Sequence, residues 1–181
     1  MSFERIGSET KWEGRIATVR VDRFRHDDGE EVEREVIAHP GAVGVVAYDD
    51  ANVWLVRQPR EAAGEPALLE VPAGKLDVEG EPPIETAKRE LAEEIGKAAA
   101  DWREVASFYT SPGFTDERVT VYAATGLSDA RAETDEDERI EIVAWPLERL
   151  DEAIAECHDS KSLVGLLWLR LDLARERDRA A

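Results

Sequence analysis

The first forty residues alternate between apolar and polar positions. Ile16, Val19, Val21 and Phe24 mark one run, Val32, Val36 and Ile37 mark a second, and Asp27-Asp28-Gly29 lies between them. Alternation on both sides of such a turn predicts a β-hairpin with one face half exposed. Pro40-Gly41 interrupts the chain, and β-branched runs at 42–48 and 53–57 then flank a second turn, Asp49-Asp50-Ala51-Asn52. A short strand is predicted at 67–71, ending at Pro72, with a loop through Gly74 and Gly80 after it. The period then changes. Ile84, Ala87, Leu91 and Ile95 recur at intervals of three and four, which predicts a helix over 83–95 with one apolar stripe. Pro83 suits its first turn, where a missing N–H costs little, and Gly96 suits its stop. Strands are predicted at 102–109, 119–125 and 140–145, with an acidic, irregular run at 128–138. Two helices close the chain, near 146–157 and 160–176, with a frayed end from Arg175. The pattern is α+β: a β-rich N-terminal extension at 1–40 and a main domain at 41–181.

Composition narrows the chemistry. The chain has 181 residues, 43% apolar and 35% charged, which is enough to bury a core and too apolar for a disordered polymer. Its 23 Lys and Arg against 41 Asp and Glu give a net charge of −18. Such a surface repels phosphate backbones and anionic lipid, so neither a nucleic-acid nor a membrane partner is expected. The apolar runs are far shorter than a bilayer span, and the N-terminus has no apolar segment of the secretory kind. The single cysteine, Cys157, can form no internal disulfide, which points to a reducing, cytoplasmic setting. Cys157 and the three histidines lack the paired spacing of a tetrahedral zinc site. Carboxylates are the ligand type in surplus, and they suit a hard cation.

The predicted helix 83–95 places Glu90, Glu93 and Glu94 within about 100° of one another. Like charges so spaced destabilise a helix by about 0.2–0.5 kcal/mol per pair, and a cation between them reverses the sign. In so acidic a chain, three glutamates on one face are also what an ordinary solvated surface looks like. The wider pattern weighs against that: Gly74, Glu81, then Arg89-Glu90-Leu91-Ala92-Glu93-Glu94-Ile95-Gly96. It resembles the signature of the Nudix hydrolases, G-x5-E-x7-R-E-U-x-E-E-x-G-U with U aliphatic. It departs at two places: six residues separate Gly74 from Glu81, and Lys97 stands at the last aliphatic position. The resemblance implies a Nudix-type α/β/α sandwich with a mixed sheet. It also implies Mg²⁺-dependent hydrolysis of a nucleoside diphosphate linked to another group, with Mn²⁺ as an alternative. By position, Glu90 and Glu94 would be metal ligands, Glu93 a ligand or a bridge through water, and the Ala73 carbonyl a further ligand. Gly74, Glu81 and Arg89 would shape the loop and helix.

Other stretches resemble the ADP-ribose pyrophosphatase branch of that family. Glu70-Val71-Pro72-Ala73-Gly74 matches its E-x-P-A-G, Gln58-Pro59-Arg60 its Q-x-R, and Pro112 of Ser111-Pro112-Gly113 its proline beyond the box. The resemblance implies that Arg60 binds phosphate or the terminal ribose, that Arg34 and Glu35 lie near the adenine, and that Glu117 accepts from ribose hydroxyls. A glutamate before the strand at 139–145 would act on the attacking water, Glu138 by position or Glu136 two residues away. The expected partner is a small nucleoside diphosphate sugar, and the N-terminal strands would pack on a second subunit, giving a homodimer. A pyrophosphatase for another nucleotide-sugar, such as GDP-mannose, uses the same box. A non-catalytic ADP-ribose-binding domain fits less well, because such domains tend to lose box glutamates and this chain keeps them all.

Overall fold

The structure is a computed structural model that describes residues 1–131 and 139–180. The chain packs as two units. One comprises Met1–Gly41 with Phe108–Arg118, the other Ala42–Ser107 with Val119–Ala181.

The N-terminal unit is an antiparallel sheet of β1 (Phe3–Glu13), β2 (Thr18–His26) and β3 (Glu31–Ala38), in that order. β2 and β3 form the hairpin that alternation predicts, turned through Gly29 at φ 88°. The predicted two-stranded hairpin is therefore incomplete, because β1 adds a third strand, with Phe3 opposite His26 and Glu13 opposite Thr18. β1 is exposed along most of its length and shifts register twice. An edge strand held by backbone bonds buries little and so leaves little apolar period to read. The segment 108–118 joins this unit through the Ile37 N–H, which donates to the Phe114 carbonyl at 2.8 Å, and the Thr115 hydroxyl, which donates to the Ile37 carbonyl at 2.7 Å.

The second unit is built on a seven-stranded mixed sheet. Its strands are β4 (Ala42–Tyr48), β5 (Asn52–Arg60), β6 (Glu65–Glu70), β7 (Ala73–Lys75), β8 (Lys97–Tyr109), β9 (Arg118–Asp129) and β10 (Glu141–Pro146). The path runs β10-β5-β4-β9-β8, and β4 pairs with β9 in parallel. β4 is shared: its first residues pair with β7, and its last pair with β5. Helix α1 (Pro83–Ile95) covers one face, where Val43, Val45 and Ala47 meet Ala87, Leu91 and Ile95. Full burial of a side chain such as Leu91 stabilises the fold by about 2 kcal/mol. Helix α2 (Leu150–Glu156) precedes α3 (Ser160–Ala180), which covers the other face. There a Cβ on Gly165 would come within 2.5 Å of Val46, so only glycine lets the helix approach β4 this closely. Alternate residues of β4 thus face opposite helices, which is the α/β/α layering that the family resemblance implied.

Helix α1 has the predicted bounds. Pro83 opens it, and Gly96 at φ 65° closes it by donating to the Ala92 and Leu91 carbonyls. Several predicted boundaries need correction: β5 reaches Arg60, β9 reaches Asp129, and α2 begins at Leu150 rather than near 146. β8 begins at Lys97 rather than 102, because sheet pairing overrides the helical propensity of Ala98-Ala99-Ala100. The predicted loop after Pro72 contains β7, and α3 continues to Ala180 instead of fraying at Arg175. Among the described residues no helix is long and apolar enough to cross a membrane.

Candidate active site

The signature residues meet where α1 lies against β7. Gly74 on β7 runs directly beneath Glu90: a Cβ built there would fall 2.0 Å from Glu90 Oε1. One residue earlier, the Ala73 N–H donates to Glu94 Oε2 at 2.9 Å. Glu94 is only 6% exposed, so this carboxylate is part of the helix–strand contact. The side chains of Glu90 and Glu93 are more open, at 14% and 32%. The predicted glutamate face therefore looks across at β7, and its three carboxylates differ in burial.

One cation organises this face. Arg89 Nη1 donates to Glu90 at 2.8 Å and to Glu93 at 2.9 Å, and Nη2 donates to Glu81 at 3.2 Å. Its pKa is pushed well up, first by the hydrogen bond to Glu81. Glu81 is held below its ordinary value by that same bond and then by the Thr86 hydroxyl, which donates at 2.7 Å. Glu81 thereby ties the preceding loop to the first turns of α1. Among the described residues no three Asp, Glu, His or Cys side chains already converge as a metal-binding set. The donors nonetheless suit a hard divalent cation: they are oxygen only, they sit on a rigid helix, and Gly74, having no Cβ, lets the Glu90 carboxylate lie against β7. Glu90, Glu93 and Glu94 could hold such an ion.

The start of β7 is also anchored from the far side of the sheet. Glu70, 1% exposed, receives Arg60 through Nε at 2.6 Å and Nη2 at 2.9 Å, and Lys161 at 2.5 Å. Arg60 therefore pairs with Glu70, ten residues away on β6. Sequence reading singled out neither the bridging role of Glu70 nor Lys161. Glu70 stood in the quoted E-x-P-A-G stretch, but nothing local linked it to a lysine 91 residues away.

In the N-terminal unit, Arg34, Glu35 and Pro112 line one concavity of about 320 Å³, together with Arg20, Asp22, Phe24 and Phe114 among others. Arg34 and Glu35 lie opposite Asp22 and Val21, and both are exposed. Asp22, 1% exposed, accepts from Ser8 at 2.6 Å and from Arg20 at 2.9 Å. Arg20 also reaches Asp116 at 2.7 Å. This polar floor was missed because its members come from three separate segments. Glu117 accepts from the Thr110 hydroxyl at 2.7 Å and lies 3.4 Å from His39 Nδ1. Glu136 and Glu138 lie outside the described residues.

Comparison with known proteins gives a consistent picture. The family model described as the NUDIX domain matches residues 38–164. An ADP-ribose pyrophosphatase of Mycobacterium tuberculosis is 47% identical over 79% of this chain and 70% of its own. An ADP-ribose pyrophosphatase of Bacillus subtilis is 36% identical over 96% of both chains. A methanol dehydrogenase activator of Bacillus methanolicus is 38% identical over 93% of both. A crystal structure of an ADP compounds hydrolase superposes with a TM-score of 0.84 over 97% of this chain and 96% of that one, at 24% identity.

Proposed function

The chain belongs to the Nudix family, and from that premise we propose that it hydrolyses the pyrophosphate bond of ADP-ribose to AMP and ribose 5-phosphate. The observation that carries this reading is the pairing of Ala73 and Gly74 with Glu94 and Glu90, which sets an acidic helix face against a strand whose glycine makes room for the Glu90 carboxylate. Glu90 and Glu94 would hold Mg²⁺ or Mn²⁺, with Glu93 direct or through water and the Ala73 carbonyl as a further donor. Such an ion, when bound, neutralises the diphosphate and makes water a better nucleophile. The chain's own groups do the rest. Arg60 carries a half-exposed guanidinium at the end of β5, suited to phosphate or ribose oxygens. Arg34 and Glu35, beside Pro112, offer donors and acceptors to a nucleobase edge, and Glu117 offers a carboxylate to ribose hydroxyls. Glu138, or else Glu136, takes a proton from the attacking water as its oxygen bonds to phosphorus and the bridging P–O bond breaks.

The names of the two pyrophosphatase relatives support the choice of ADP-ribose over another nucleotide-sugar. We read residues 1–40 as an extension for dimerisation and substrate binding, and 41–181 as the hydrolase domain. Phe3, Trp12 and Ile16 are 68%, 59% and 61% exposed on the N-terminal unit, apolar surface that a second copy of the chain would cover. The test is a panel of ADP-ribose, GDP-mannose and other nucleotide-sugars, incubated with Mg²⁺ or Mn²⁺ and assayed for nucleoside monophosphate. AMP release from ADP-ribose well ahead of the rest supports the reading; preference for another sugar nucleotide transfers it to that substrate. Sedimentation that finds a fully active monomer removes the dimer.

A further inference from the structure

We infer that Lys161, at the start of α3, is a positioning residue that sets Arg60 for its anionic substrate by acting through the buried carboxylate of Glu70. The inference rests on the reading of Arg60 as a substrate-binding group. Arg60 engages Glu70 side-on, Nε to Oε1 at 2.6 Å and Nη2 to Oε2 at 2.9 Å. This fixes the plane of the guanidinium and commits one edge of it, leaving the Nη1 edge outside the fork. The charge of Glu94 also favours the Arg60 cation, so this guanidinium lies within electrostatic reach of the acidic face of α1.

Glu70 could not hold that geometry alone. A buried carboxylate is costly unless its charge and lone pairs are met, and a side chain 41% exposed is a loose partner. Lys161 is 13% exposed and donates to the same Oε2 at 2.5 Å. Lys161 is itself held by Asp159 Oδ2 at 3.0 Å. Asp159 also accepts from the Ser162 N–H at 3.0 Å and the Ser162 hydroxyl at 2.5 Å, and Ser162 Oγ accepts from the Val71 N–H at 2.8 Å. The first turn of α3 therefore grips residues 70 and 71 at two points, just before Ala73 and Gly74 meet Glu94 and Glu90. Asp159 supplies a second carboxylate, so the cations Arg60 and Lys161 are matched by Glu70 and Asp159, and what Lys161 contributes to Arg60 is the fixed position of Glu70.

A purely structural clamp would lower stability without coupling to substrate affinity, and a double-mutant cycle separates the two. Lys161→Met should raise KM for ADP-ribose by about tenfold and lower kcat by less than about threefold, with Lys161→Arg restoring most of the loss. Arg60→Gln should raise KM similarly, and the double variant should add little to either. An unchanged KM in Lys161→Met, or additive effects in the double variant, overturns the inference. A second arm needs no turnover. The Arg60 Nε–H proton, hydrogen-bonded to Glu70 Oε1 in the wild type, should change its resonance position and exchange with solvent about tenfold faster in Lys161→Met. An unaltered resonance overturns the positioning role. Failure of wild-type protein to release AMP overturns the hydrolase reading instead, and the resonance arm then decides the role of Lys161.

Discussion

The carboxylate of Glu90 occupies the space into which a side chain on Gly74 would project, with Oε1 2.0 Å from where a Cβ would stand. Gly74 has an unstrained backbone, since its φ is not among the positive values, so its requirement for glycine is one of contact. A Gly74→Ala variant should keep its fold and displace Glu90. Misplacing a reacting group by about 1 Å can cost about 10²-fold, and a loss of that order is expected in kcat/KM. Steady-state kinetics with circular dichroism as a control on folding checks this. Wild-type turnover in Gly74→Ala would show that Glu90 need not stand where it does.

Glu94→Gln retains an oxygen to accept from Ala73 and removes the charge. Glu90→Gln does the same beside Gly74. Each should reduce turnover at limiting Mg²⁺ by at least about 100-fold, while unfolding free energy changes by less than about 1 kcal/mol. Normal turnover at limiting Mg²⁺ would exclude the substituted glutamate as a ligand.

Arg89 is the shared partner of Glu81, Glu90 and Glu93, so Arg89→Met leaves three clustered carboxylates without it. Removing one partner from partly buried charge-assisted bonds costs about 1–3 kcal/mol, and urea unfolding of metal-free protein should show a loss in that range. Arg89→Lys should recover little, because a single ammonium cannot reproduce a fork that reaches three carboxylates.

Acid should weaken the N-terminal unit through Asp22. Burial alone would raise this carboxyl, but bonds from Ser8 and Arg20 outweigh it and hold the pKa below the ordinary 3.8. A group depressed by folding adds stability above its unfolded value and loses it as pH falls through the folded one. Urea unfolding followed from about pH 6 down to about pH 2 should show a loss that begins near pH 4. Asp22→Asn should be less stable than wild type at neutral pH and converge with it at the acid end. Parallel curves would assign the acid sensitivity elsewhere.

The water-activating glutamate is separable by kinetics. Glu138→Gln should lower kcat by about 10²-fold or more with little change in KM, the mark of a group needed in the transition state. A near wild-type Glu138→Gln beside an inactive Glu136→Gln would reassign the role to Glu136.

What the sequence determined by itself is the part governed by local chemistry. The interval of three and four from Ile84 to Ile95, a proline in the first turn and a glycine at the stop are enough to place α1. The position of Glu90, Glu93 and Glu94 on one side of it follows from helix geometry alone. Tertiary structure decided the rest. β1 lacks a burial period and exists because β2 offers it a backbone edge. Glu70 reads as one more charge in an acidic chain until α3 brings Lys161 to it, and Asp22 is closed in by groups from β1 and β2. A buried charge is stabilised by whatever the fold places beside it, and partners so far apart along the chain share no local pattern that could announce them.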